Sequence, residues 1–405
     1  MSPTLRRAIS KHMTRRAGTV VLHVGHGKTG SSYIQSSLAL SLEALAQNGV
    51  IYPDHLSLKR AAQGKISSGN ARYEGLADAA EAELRKHPSA SRILYSYEGL
   101  IRNIVNDPSE IESLRSREMA VTLILFVRDP FEHAVSSYVQ AVKRGGSTKA
   151  LSETVTNMDT VQLVRRFIEL GRNLECDLKI ANYSRHSNRL LSEFANLLSV
   201  PEDCLQKPPH AIVNRSLTRS ELMLQRKFNE HYGRKCGQMI SDPLCEQLPE
   251  IASERPYFTD RDVRAFYDKH GSAIAQTNQL LPEDARYAGL QDAIGKTQPE
   301  SAPSLYEFTE EQLDVIARSV CQHLGASSKA SRQARIIRDI AFKIENGRAI
   351  SPAETQSLLS IALDLKPNDK LLLARQNNQP GVAPMSETLA TPLLTRLKNK
   401  FRRYF

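Results

Sequence analysis

The fold of this chain is decided by residues 19–33, which read TVVLHVGHGKTGSSY. Residues 19–24 form a short β-branched run, which predicts a buried strand. A glycine-rich turn follows at residues 25–30, and apolar residues then recur at helical spacing over residues 34–45. A strand, a tight turn and an amphipathic helix in this order predict the first unit of an α/β sheet.

Four further strands are predicted downstream, separated by stretches with helical periodicity. The strongest covers residues 120–127 and is apolar at nearly every position, as expected for a central strand covered on both faces. Strands that alternate with helices in this way predict βαβ units and a mostly parallel sheet flanked by helices. Ligands bind such sheets beyond the carboxyl ends of the strands. The remaining strands are predicted at residues 50–53, 92–97 and 177–181.

The chain divides into four predicted regions. Residues 1–18 are a basic tail, and residues 19–325 form the α/β domain with helical and loop insertions. Residues 326–380 form a helical C-terminal appendage, and residues 381–405 are a linker and a basic amphipathic tail. Within the α/β domain, residues 233–300 are rich in proline, glycine and aspartate, which predicts long loops.

The net charge is +10, from 54 lysines and arginines against 44 aspartates and glutamates. Ten of these cations lie in residues 1–18 and 393–405, which contain no acid, so the two tails hold the whole excess. The balanced body argues against a general nucleic-acid-binding surface. In residues 389–405 apolar residues recur every three to four positions between cations, which predicts either peripheral membrane contact or a helix packed on its own domain.

Cysteine usage and hydropathy favour a cytoplasmic location. The five cysteines are odd in number and form no C-x-x-C pair, which argues against a disulfide framework or a zinc ribbon. No apolar run reaches the roughly 18 residues that a membrane span requires, and no secretory signal is recognisable. The prediction is therefore a cytoplasmic protein, with the inner membrane surface as the alternative.

The turn after the first strand has the composition of an anion-binding loop. Its glycines allow several backbone N–H groups to point inward, the start of the helix adds free donors and a positive dipole end, and Lys28 supplies a full charge. Hydroxyls are supplied by Thr29, Ser31 and Ser32. The pattern is not a Walker A loop, because Leu22 stands where that motif requires its first glycine. The alternative is a glycine turn that binds no ligand.

A second motif lies at the end of the strongest strand, where residues 127–130 read VRDP. Arg128 should lie at the carboxyl end of the strand, where a ligand phosphate would bind. Ser136 stands eight positions later, in the next predicted helix. A guanidinium and a hydroxyl in these places can hold a phosphate together. The alternative is an Arg–Asp surface pair and an ordinary helix serine.

These motifs resemble those of PAPS-dependent sulfotransferases, whose donor is 3′-phosphoadenosine 5′-phosphosulfate (PAPS). Residues 28–33, KTGSSY, resemble that family's 5′-phosphosulfate loop, and Arg-Asp-Pro with a serine eight residues after the arginine resembles its 3′-phosphate motif. The resemblance covers about residues 19–200 and implies a P-loop NTPase-like fold, PAPS as co-substrate and no metal. It implies a nucleotide-binding set of Gly27, Lys28, Thr29, Gly30, Ser31, Ser32, Arg128 and Ser136.

A third segment bears on the acceptor. Residues 214–218, NRSLT, resemble an Asn-x-Ser-Leu-Ser segment of bacterial carbohydrate sulfotransferases, which implies a carbohydrate or glycoconjugate acceptor. The chain departs from the cytosolic small-molecule branch, which carries a late Arg-Lys-Gly loop for the same phosphate. Residues 143–146 and 233–237 are only loose substitutes, so the residues that complete the adenosine pocket are left open.

Glu98 is the candidate general base. It follows the third predicted strand in the segment YSYEGL, and a glutamate at this point resembles the catalytic segment of the glycan-modifying branch. The alternative is a glutamate that interacts with the dipole at a helix N-terminus. His26, in the anion loop, is a further candidate base or donor, and Lys28 would stabilise charge on the bridging oxygen. The implied reaction is a metal-free in-line displacement.

Two other functions are open from the sequence alone. A P-loop kinase acting on a small molecule would use Asp129 to hold magnesium with ATP. A non-catalytic nucleotide- or glycan-binding protein at a membrane surface would need only the anion loop and the amphipathic tail. The predicted partners are a nucleotide donor and a hydroxylated acceptor, and the sequence has no evident cluster of metal ligands.

Overall fold

The computed structural model describes six ranges of the chain. Residues 1–17 of the predicted basic tail (residues 1–18) and the amphipathic segment at residues 389–405 lie outside them, as does Asn214. The chain forms two compact units, Met1–Gln312 and Leu313–Phe405. The described ranges are 18–65, 67–157, 160–209, 215–297, 306–345 and 351–365.

Five parallel strands form the sheet of the first unit. They are β1 at Thr19–His23, β2 at Val50–Ile51, β3 at Arg92–Ser96, β4 at Ala120–Val127 and β5 at Asp177–Asn182. Their order across the sheet is β2-β3-β1-β4-β5, so that β1 lies at the centre between β3 and β4. The predicted α/β class and parallel sheet are confirmed.

Helices connect the strands and flank the sheet. The helices of the first unit are α1 Ser31–Leu40, α2 Leu42–Gln47, α3 Leu58–Ala62, α4 Leu76–Lys86, α5 Leu100–Asn106, α6 Ser109–Ser116, α7 Pro130–Gly145, α8 Leu151–Val155, α9 Thr160–Asn173, α10 Tyr183–His186, α11 Leu190–Leu198, α12 Arg219–Tyr232, α13 Ser241–Gln247, α14 Asp260–Leu280 and α15 Leu290–Ile294. Two further helices are described. α16 Glu310–Glu345 begins at the end of the first unit and extends into the C-terminal unit, and α17 Pro352–Leu365 lies in the C-terminal unit.

β4 shows how the sheet is covered on both faces. Val121, Leu123 and Leu125 are buried in one apolar cluster, which includes residues of α7 and α9. Ile124 and Phe126 are buried in a second cluster, which includes residues of α1 and α11. Successive side chains of a strand point to opposite faces, so a strand covered on both sides requires a continuous apolar sequence.

The carboxyl ends of β1, β3 and β4 lie side by side. His23, the last residue of β1, is in register with Ser96 of β3 and with Ile124 of β4. The loop after β1, Glu98 after β3 and Arg128 after β4 therefore lie at the same edge of the sheet. This is the edge at which open α/β sheets bind ligands.

The prediction of long loops over residues 233–300 is wrong at the centre of that range. The 21-residue helix α14 lies there and begins with a capping box. The Asp262 carboxylate accepts the Thr259 N–H at 2.9 Å, and Thr259 Oγ1 accepts the Asp262 N–H at 3.4 Å. Phe266 and Ile274 are among the buried residues of its inner face. Charged residues separate the apolar ones along the chain, so composition conceals a helical periodicity.

The described part of the C-terminal unit consists of α17 and most of α16. Ile337 and Ile340 of α16 are buried, as are Leu358 and Ile361 of α17. An ion pair between Lys343 Nζ and Glu354 Oε1, 2.5 Å apart, joins the two helices. The predicted C-terminal appendage is therefore helical over these residues.

Candidate active site

The loop between β1 and α1 contains three residues with positive φ, namely Gly25 at 63°, Lys28 at 71° and Gly30 at 80°. Gly25 permits a close approach to the segment after β3, because a Cβ atom there would lie 2.8 Å from Glu98 Cα. Lys28 has a side chain, so its left-handed conformation carries backbone strain of the kind that collects at binding sites. The loop is thus held against the residues that follow β3.

Two hydrogen bonds to backbone carbonyl groups stabilise the conformation of this loop. The Thr29 side chain has no exposed surface, and its Oγ1 donates a hydrogen bond to the His26 carbonyl oxygen at 2.6 Å. His133 Nε2, on α7, donates to the Gly27 carbonyl oxygen at 2.9 Å. Two residues of the predicted nucleotide-binding set therefore make internal hydrogen bonds that shape the loop.

The loop borders a cavity of about 910 Å³, hereafter the donor cavity. This volume suits a nucleotide-sized ligand. Glu98 also lines the donor cavity. The members of the predicted nucleotide-binding set that line it are Lys28, Gly30, Ser31, Ser32, Arg128 and Ser136.

Lys28 brings a positive charge to this cavity. Its Nζ donates a hydrogen bond to Gln140 Oε1, on α7, at 2.8 Å. Burial lowers the pKa of Lys28 to about 8; the Glu98 carboxylate opposes the shift, and neighbouring cations add to it. Lys28 is therefore mostly charged at pH 7, and a bound anion would favour the charged form further.

Arg128 reaches the same loop from the end of β4. Its Nη1 donates to the Lys28 carbonyl oxygen at 2.9 Å, and its guanidinium carbon lies 5.4 Å from the centre of the Tyr183 ring. Its Nε has no hydrogen-bond partner among the described residues, and the ion pair from Nε to Glu132 Oε2 is 3.8 Å long. Burial lowers the pKa of Arg128, but an arginine stays charged. A half-buried cation that lines the cavity is suited to hold an anion there.

Hydroxyls line the same cavity as the two cations. Ser31, at the start of α1, is buried, and its Oγ has no partner in the part of the chain that the structure describes. Ser136 is partly exposed on α7 and lines the donor cavity. The two cations, these hydroxyls and the start of α1 can together hold more than one anionic group at this cavity. The residues present therefore fit a nucleotide that carries two separate anionic groups.

Asp129 makes hydrogen bonds that stabilise the fold. Its Oδ1 accepts hydrogen bonds from Asn182 Nδ2 and from the Ala288 N–H, both at 3.1 Å. These bonds tie the end of β4 to the end of β5 and to the segment between α14 and α15. Both bonds go to one carboxylate oxygen, so Asp129 has a structural role, and Asp129 also lines the donor cavity.

Four cations that the sequence did not single out also line the donor cavity. Lys296 Nζ lies 2.6 Å from Glu132 Oε1, and Arg255 lies 3.7 Å from the same oxygen. The four come from separate segments after β5 and share no motif, so no local signal in the sequence marks them. They are Arg189, Lys207, Arg255 and Lys296.

A second cavity of about 410 Å³ shares Lys28 and Glu98 with the donor cavity. His26, Gly27 and His133 also line it. His26 is 4% exposed, and burial lowers its pKa to about 4, which makes it a weak base near neutral pH. Glu98 is exposed and borders both cavities, so it is the carboxylate at their junction.

The segment that resembles carbohydrate sulfotransferases contains a buried ion pair. Arg215 Nη1 and Nη2 donate to the two carboxylate oxygens of Glu221 at 2.7 and 2.8 Å. Ser216 lines the donor cavity, and Asn214 lies outside the described residues. Among the described residues of this segment, 215–218, Ser216 alone lines the donor cavity.

The loose substitutes for the Arg-Lys-Gly loop are used elsewhere. Lys143 Nζ donates to the Arg215 carbonyl oxygen at 3.3 Å, and Arg144 Nη2 lies 2.9 Å from Asp242 Oδ1. Neither residue lines the donor cavity. The side chains of Arg234 and Lys235 lie outside the described part of the structure.

Two absences hold within the described ranges. No group of three or more histidine, cysteine, aspartate or glutamate side chains there is placed to hold a metal ion. None of the helices described there is both long enough and apolar enough to cross a membrane. Peripheral membrane contact through residues 389–405 stays a prediction, because that segment lies outside these ranges.

Comparison with known proteins gives one weak structural likeness. No family model matches the sequence, and no curated protein matches it. Among solved structures, a sulfotransferase from Alicyclobacillus acidocaldarius is 14% identical, with 53% of this chain and 93% of that chain covered and a TM-score of 0.28. A likeness at this TM-score is too weak to assign a family or an activity.

Proposed function

We propose that this protein is a sulfotransferase that moves a sulfuryl group from PAPS to a hydroxyl of a carbohydrate or glycoconjugate. The observation that carries the proposal is that Lys28 and Arg128 line one cavity together with the hydroxyls of Ser31 and Ser136. Two anion sites suit PAPS, which has a phosphosulfate at its 5′ position and a phosphate at its 3′ position. ATP carries its phosphates in one chain and would leave the second site unused.

In the proposed reaction the acceptor oxygen attacks the sulfur atom in line with the bridging oxygen of the donor. A new S–O bond forms, the bond from sulfur to the bridging oxygen breaks, and its electron pair stays on the 5′-phosphate. The acceptor hydroxyl gives its proton to Glu98. Lys28 and the N–H groups at the start of α1 stabilise the charge that develops on the leaving phosphate. The products are the sulfated acceptor and adenosine 3′,5′-bisphosphate.

Glu98 is supported as the base by its position at the junction of the two cavities. Glu98→Gln should lower the rate of sulfuryl transfer about 100-fold or more, because general base catalysis contributes roughly 10²–10⁴. The rate is measured as radioactive sulfate transferred from labelled PAPS to a panel of methyl glycosides. The variant should still bind the bisphosphate, because Lys28 and Arg128 are both retained. An unchanged transfer rate would remove Glu98 from the mechanism.

A P-loop kinase is less well supported. It would need Asp129 for magnesium, and the Asp129 carboxylate already accepts two hydrogen bonds within the fold. A non-catalytic binding protein would share the donor cavity, so it is distinguished from the enzyme by the absence of transfer rather than by nucleotide affinity.

The test of the donor is calorimetric titration without metal, using adenosine 3′,5′-bisphosphate, ATP and adenosine 5′-phosphate in parallel. The bisphosphate should bind at least tenfold more tightly than adenosine 5′-phosphate, because only it reaches Arg128. Arg128→Met should lose this preference. Arg144→Met is its matched control, since it removes an α7 cation that pairs with Asp242 away from the donor cavity. A preference for ATP that depends on magnesium would instead support a kinase, and the absence of binding would exclude both enzymes.

A further inference from the structure

Three cations of the donor cavity converge on one carboxylate, that of Glu132 in the first turn of α7. Lys296 Nζ lies 2.6 Å from Glu132 Oε1, and Arg255 Nη2 lies 3.7 Å from the same oxygen. Arg128 Nε lies 3.8 Å from Oε2. All four side chains, hereafter the Glu132 cluster, line the donor cavity. The cations follow β4, precede α14 and follow α15, so only the fold brings them together.

Glu132 is fixed from the side of the sheet. Ser184 Oγ, in α10, donates to Glu132 Oε2 at 2.9 Å and accepts the Asp129 N–H at 3.1 Å. The Ser184 N–H donates to Oδ1 of Asn182, the last residue of β5, at 2.9 Å. Burial raises the pKa of Glu132, but the hydrogen bond and charge of Lys296 and the bond from Ser184 hold it below its ordinary value. Glu132 is therefore ionised at pH 7 and fixed where the other two cations attach.

The segments that carry Arg255 and Lys296 are held by backbone contacts, while their side chains stay accessible. Arg219 Nε, on α12, donates to the Arg255 carbonyl oxygen at 2.9 Å. The Lys296 N–H donates to the Ala293 carbonyl oxygen of α15 at 3.2 Å. The side chains of Arg255 and Lys296 are 55% and 41% exposed. Both can therefore contact a ligand that enters the donor cavity.

Both of these cations keep hydrogen-bond donors for a ligand. The Lys296 ammonium has three N–H donors and uses one of them on Glu132. The distance of 3.7 Å between Arg255 and Glu132 is too long for a hydrogen bond, so this ion pair engages the charge of the guanidinium and leaves its N–H groups available. A phosphate has three terminal oxygens that accept hydrogen bonds and can bridge cations gathered around one carboxylate.

The charge of the Glu132 cluster restricts the ligand. Three cations against one carboxylate leave two positive charges. Two further acids of the cavity lining, Asp129 and Glu254, accept hydrogen bonds from the N–H groups of Ala288 and Arg219, which partly offset their charge. A phosphate monoester carries a charge of about −1.5 to −2 at pH 7. A sulfate ester or a phosphodiester carries a single charge, so the cluster favours a terminal phosphate.

We propose that Arg255 and Lys296 form, with Arg128, a subsite that selects a terminal phosphate, and that Glu132 positions these two cations. The inference rests on the proposed function, under which the occupant is the 3′-phosphate of PAPS and of adenosine 3′,5′-bisphosphate. It assigns residues of the nucleotide pocket that the sequence leaves open, since Lys143 and Arg144 do not line the donor cavity. Glu132 is a positioning residue in this scheme and acts on the ligand only through the cations.

The test is calorimetric titration of the full chain without metal, with adenosine 3′,5′-bisphosphate and adenosine 5′-phosphate. The quantity compared is the selectivity ratio, the Kd of the 5′-phosphate divided by the Kd of the bisphosphate. Partial unfolding reduces the binding of both nucleotides equally, so the ratio reports the 3′-phosphate alone. Arg255→Met and Lys296→Met should each lower the ratio about fivefold, because a charge-assisted hydrogen bond is lost at a partly exposed site.

Glu132→Gln tests the positioning role, because the two possible effects of this carboxylate have opposite signs. If Glu132 only repels the phosphate, its neutralisation raises the selectivity ratio. If Glu132 positions Arg255 and Lys296, its neutralisation lowers the ratio, and we expect a decrease of about threefold, less than one full hydrogen bond. The glutamine keeps an acceptor for Ser184. An equal or higher ratio would overturn the positioning role.

Lys207→Met is the matched control, because Lys207 lines the donor cavity outside the Glu132 cluster. Its selectivity ratio should equal that of the wild type. If Lys207→Met lowers the ratio as much as Lys296→Met, the total charge of the cavity selects the phosphate and the subsite is overturned. If the wild type prefers the bisphosphate and the Arg255 and Lys296 variants keep the full ratio, the subsite is overturned while the proposed donor site stands. If the wild type shows no preference for the bisphosphate, the proposed function fails, and the inference fails with it.

Discussion

Two arginines of the first unit, the half-buried Arg128 and the buried Arg215, are used in opposite ways. Arg215 is 1% exposed, and all five of its N–H groups donate hydrogen bonds, two to the Glu221 carboxylate and three to backbone carbonyl groups. Arg128 makes one bond to the Lys28 carbonyl and leaves its buried Nε without a partner among the described residues. Arg128 also lines the donor cavity, and Arg215 does not.

The difference separates a charge that holds the fold from a charge that is available to a ligand. A buried ion pair is tolerated when every donor and acceptor is satisfied, as for Arg215. Burial opposes ionisation of Glu221, yet hydrogen bonds from Arg215, Thr218 and Gln312 keep its pKa below the ordinary value. Arg128 instead keeps part of its side chain exposed at the donor cavity, which makes its charge available to a ligand there.

The largest expected effect is the loss of stability on replacing Arg215. Arg215→Met should lower the free energy of unfolding by about 3–5 kcal/mol, because it leaves the Glu221 carboxylate buried without its counter-ion. Chemical denaturation followed by circular dichroism measures the change. The folded fraction should bind adenosine 3′,5′-bisphosphate with unchanged affinity.

A double variant sharpens this prediction. Adding Glu221→Gln removes the orphaned charge and keeps a side chain that can complete the capping box with Thr218, so part of the lost stability should return. If Arg215→Met alone costs less than about 1 kcal/mol, the buried pair does not support the fold in the way proposed here.

The second largest expected effect is the loss of bisphosphate affinity on replacing Arg128. Arg128→Met should weaken bisphosphate binding about 100-fold, or roughly 3 kcal/mol, because charge-assisted hydrogen bonds to the 3′-phosphate are lost. The free energy of unfolding should change by less than about 1 kcal/mol, since Arg128 makes few bonds within the fold. Calorimetry and denaturation on the same preparation measure both quantities. Equal affinity in wild type and variant would break the contrast between the two arginines.

The placement of Lys28 and Arg128 at one edge of the sheet could be predicted from the sequence. Lys28 and Arg128 both follow apolar strands, and parallel strands bring their carboxyl ends to one edge of a sheet. Local pattern therefore predicted the strand, the turn and the helix around Lys28, and the sheet that carries Arg128. What local pattern could not predict is which atoms remain unpartnered, because that depends on the neighbours that each side chain meets in the fold.

Other features depend on contacts between distant parts of the chain. His133 meets His26 only because α7 begins at the end of β4, the neighbour of β1. Arg255 and Lys296 reach the donor cavity from a region that composition marked as loops, where the buried face of α14 was concealed by charged residues. No pattern within one segment carries such information.

The next prediction concerns pH and the charge of Lys28. Burial lowers the pKa of Lys28 to about 8, so the side chain is charged below that pH and neutral above it. Bisphosphate affinity should be nearly constant from pH 6.5 to 7.5 and fall about tenfold by pH 9. Above the pKa of Lys28 in the free protein, the fraction of molecules with a charged Lys28 decreases about tenfold for each pH unit. The phosphates themselves ionise near pH 6 and stay charged over this range.

Lys28→Arg is the matched variant for this pH dependence. A guanidinium stays charged throughout, so the affinity of the variant should be flat from pH 7 to pH 9. Calorimetry at four pH values compares the two proteins. A parallel decline in both would show that another group controls the pH dependence.

The smallest expected effect concerns two hydroxyls of the loop between β1 and α1, those of Ser31 and Thr29. Ser31 Oγ is buried without a partner in the described structure, whereas Thr29 Oγ1 donates to the His26 carbonyl oxygen at 2.6 Å. Ser31→Ala should weaken bisphosphate binding about fivefold and leave the free energy of unfolding unchanged or slightly higher, since it removes an unsatisfied buried group. Thr29→Val should lower the free energy of unfolding by about 1 kcal/mol, because a buried carbonyl loses its donor. If Ser31→Ala instead destabilises the protein and spares binding, an unmade hydrogen bond does not mark the ligand-binding residues of this loop.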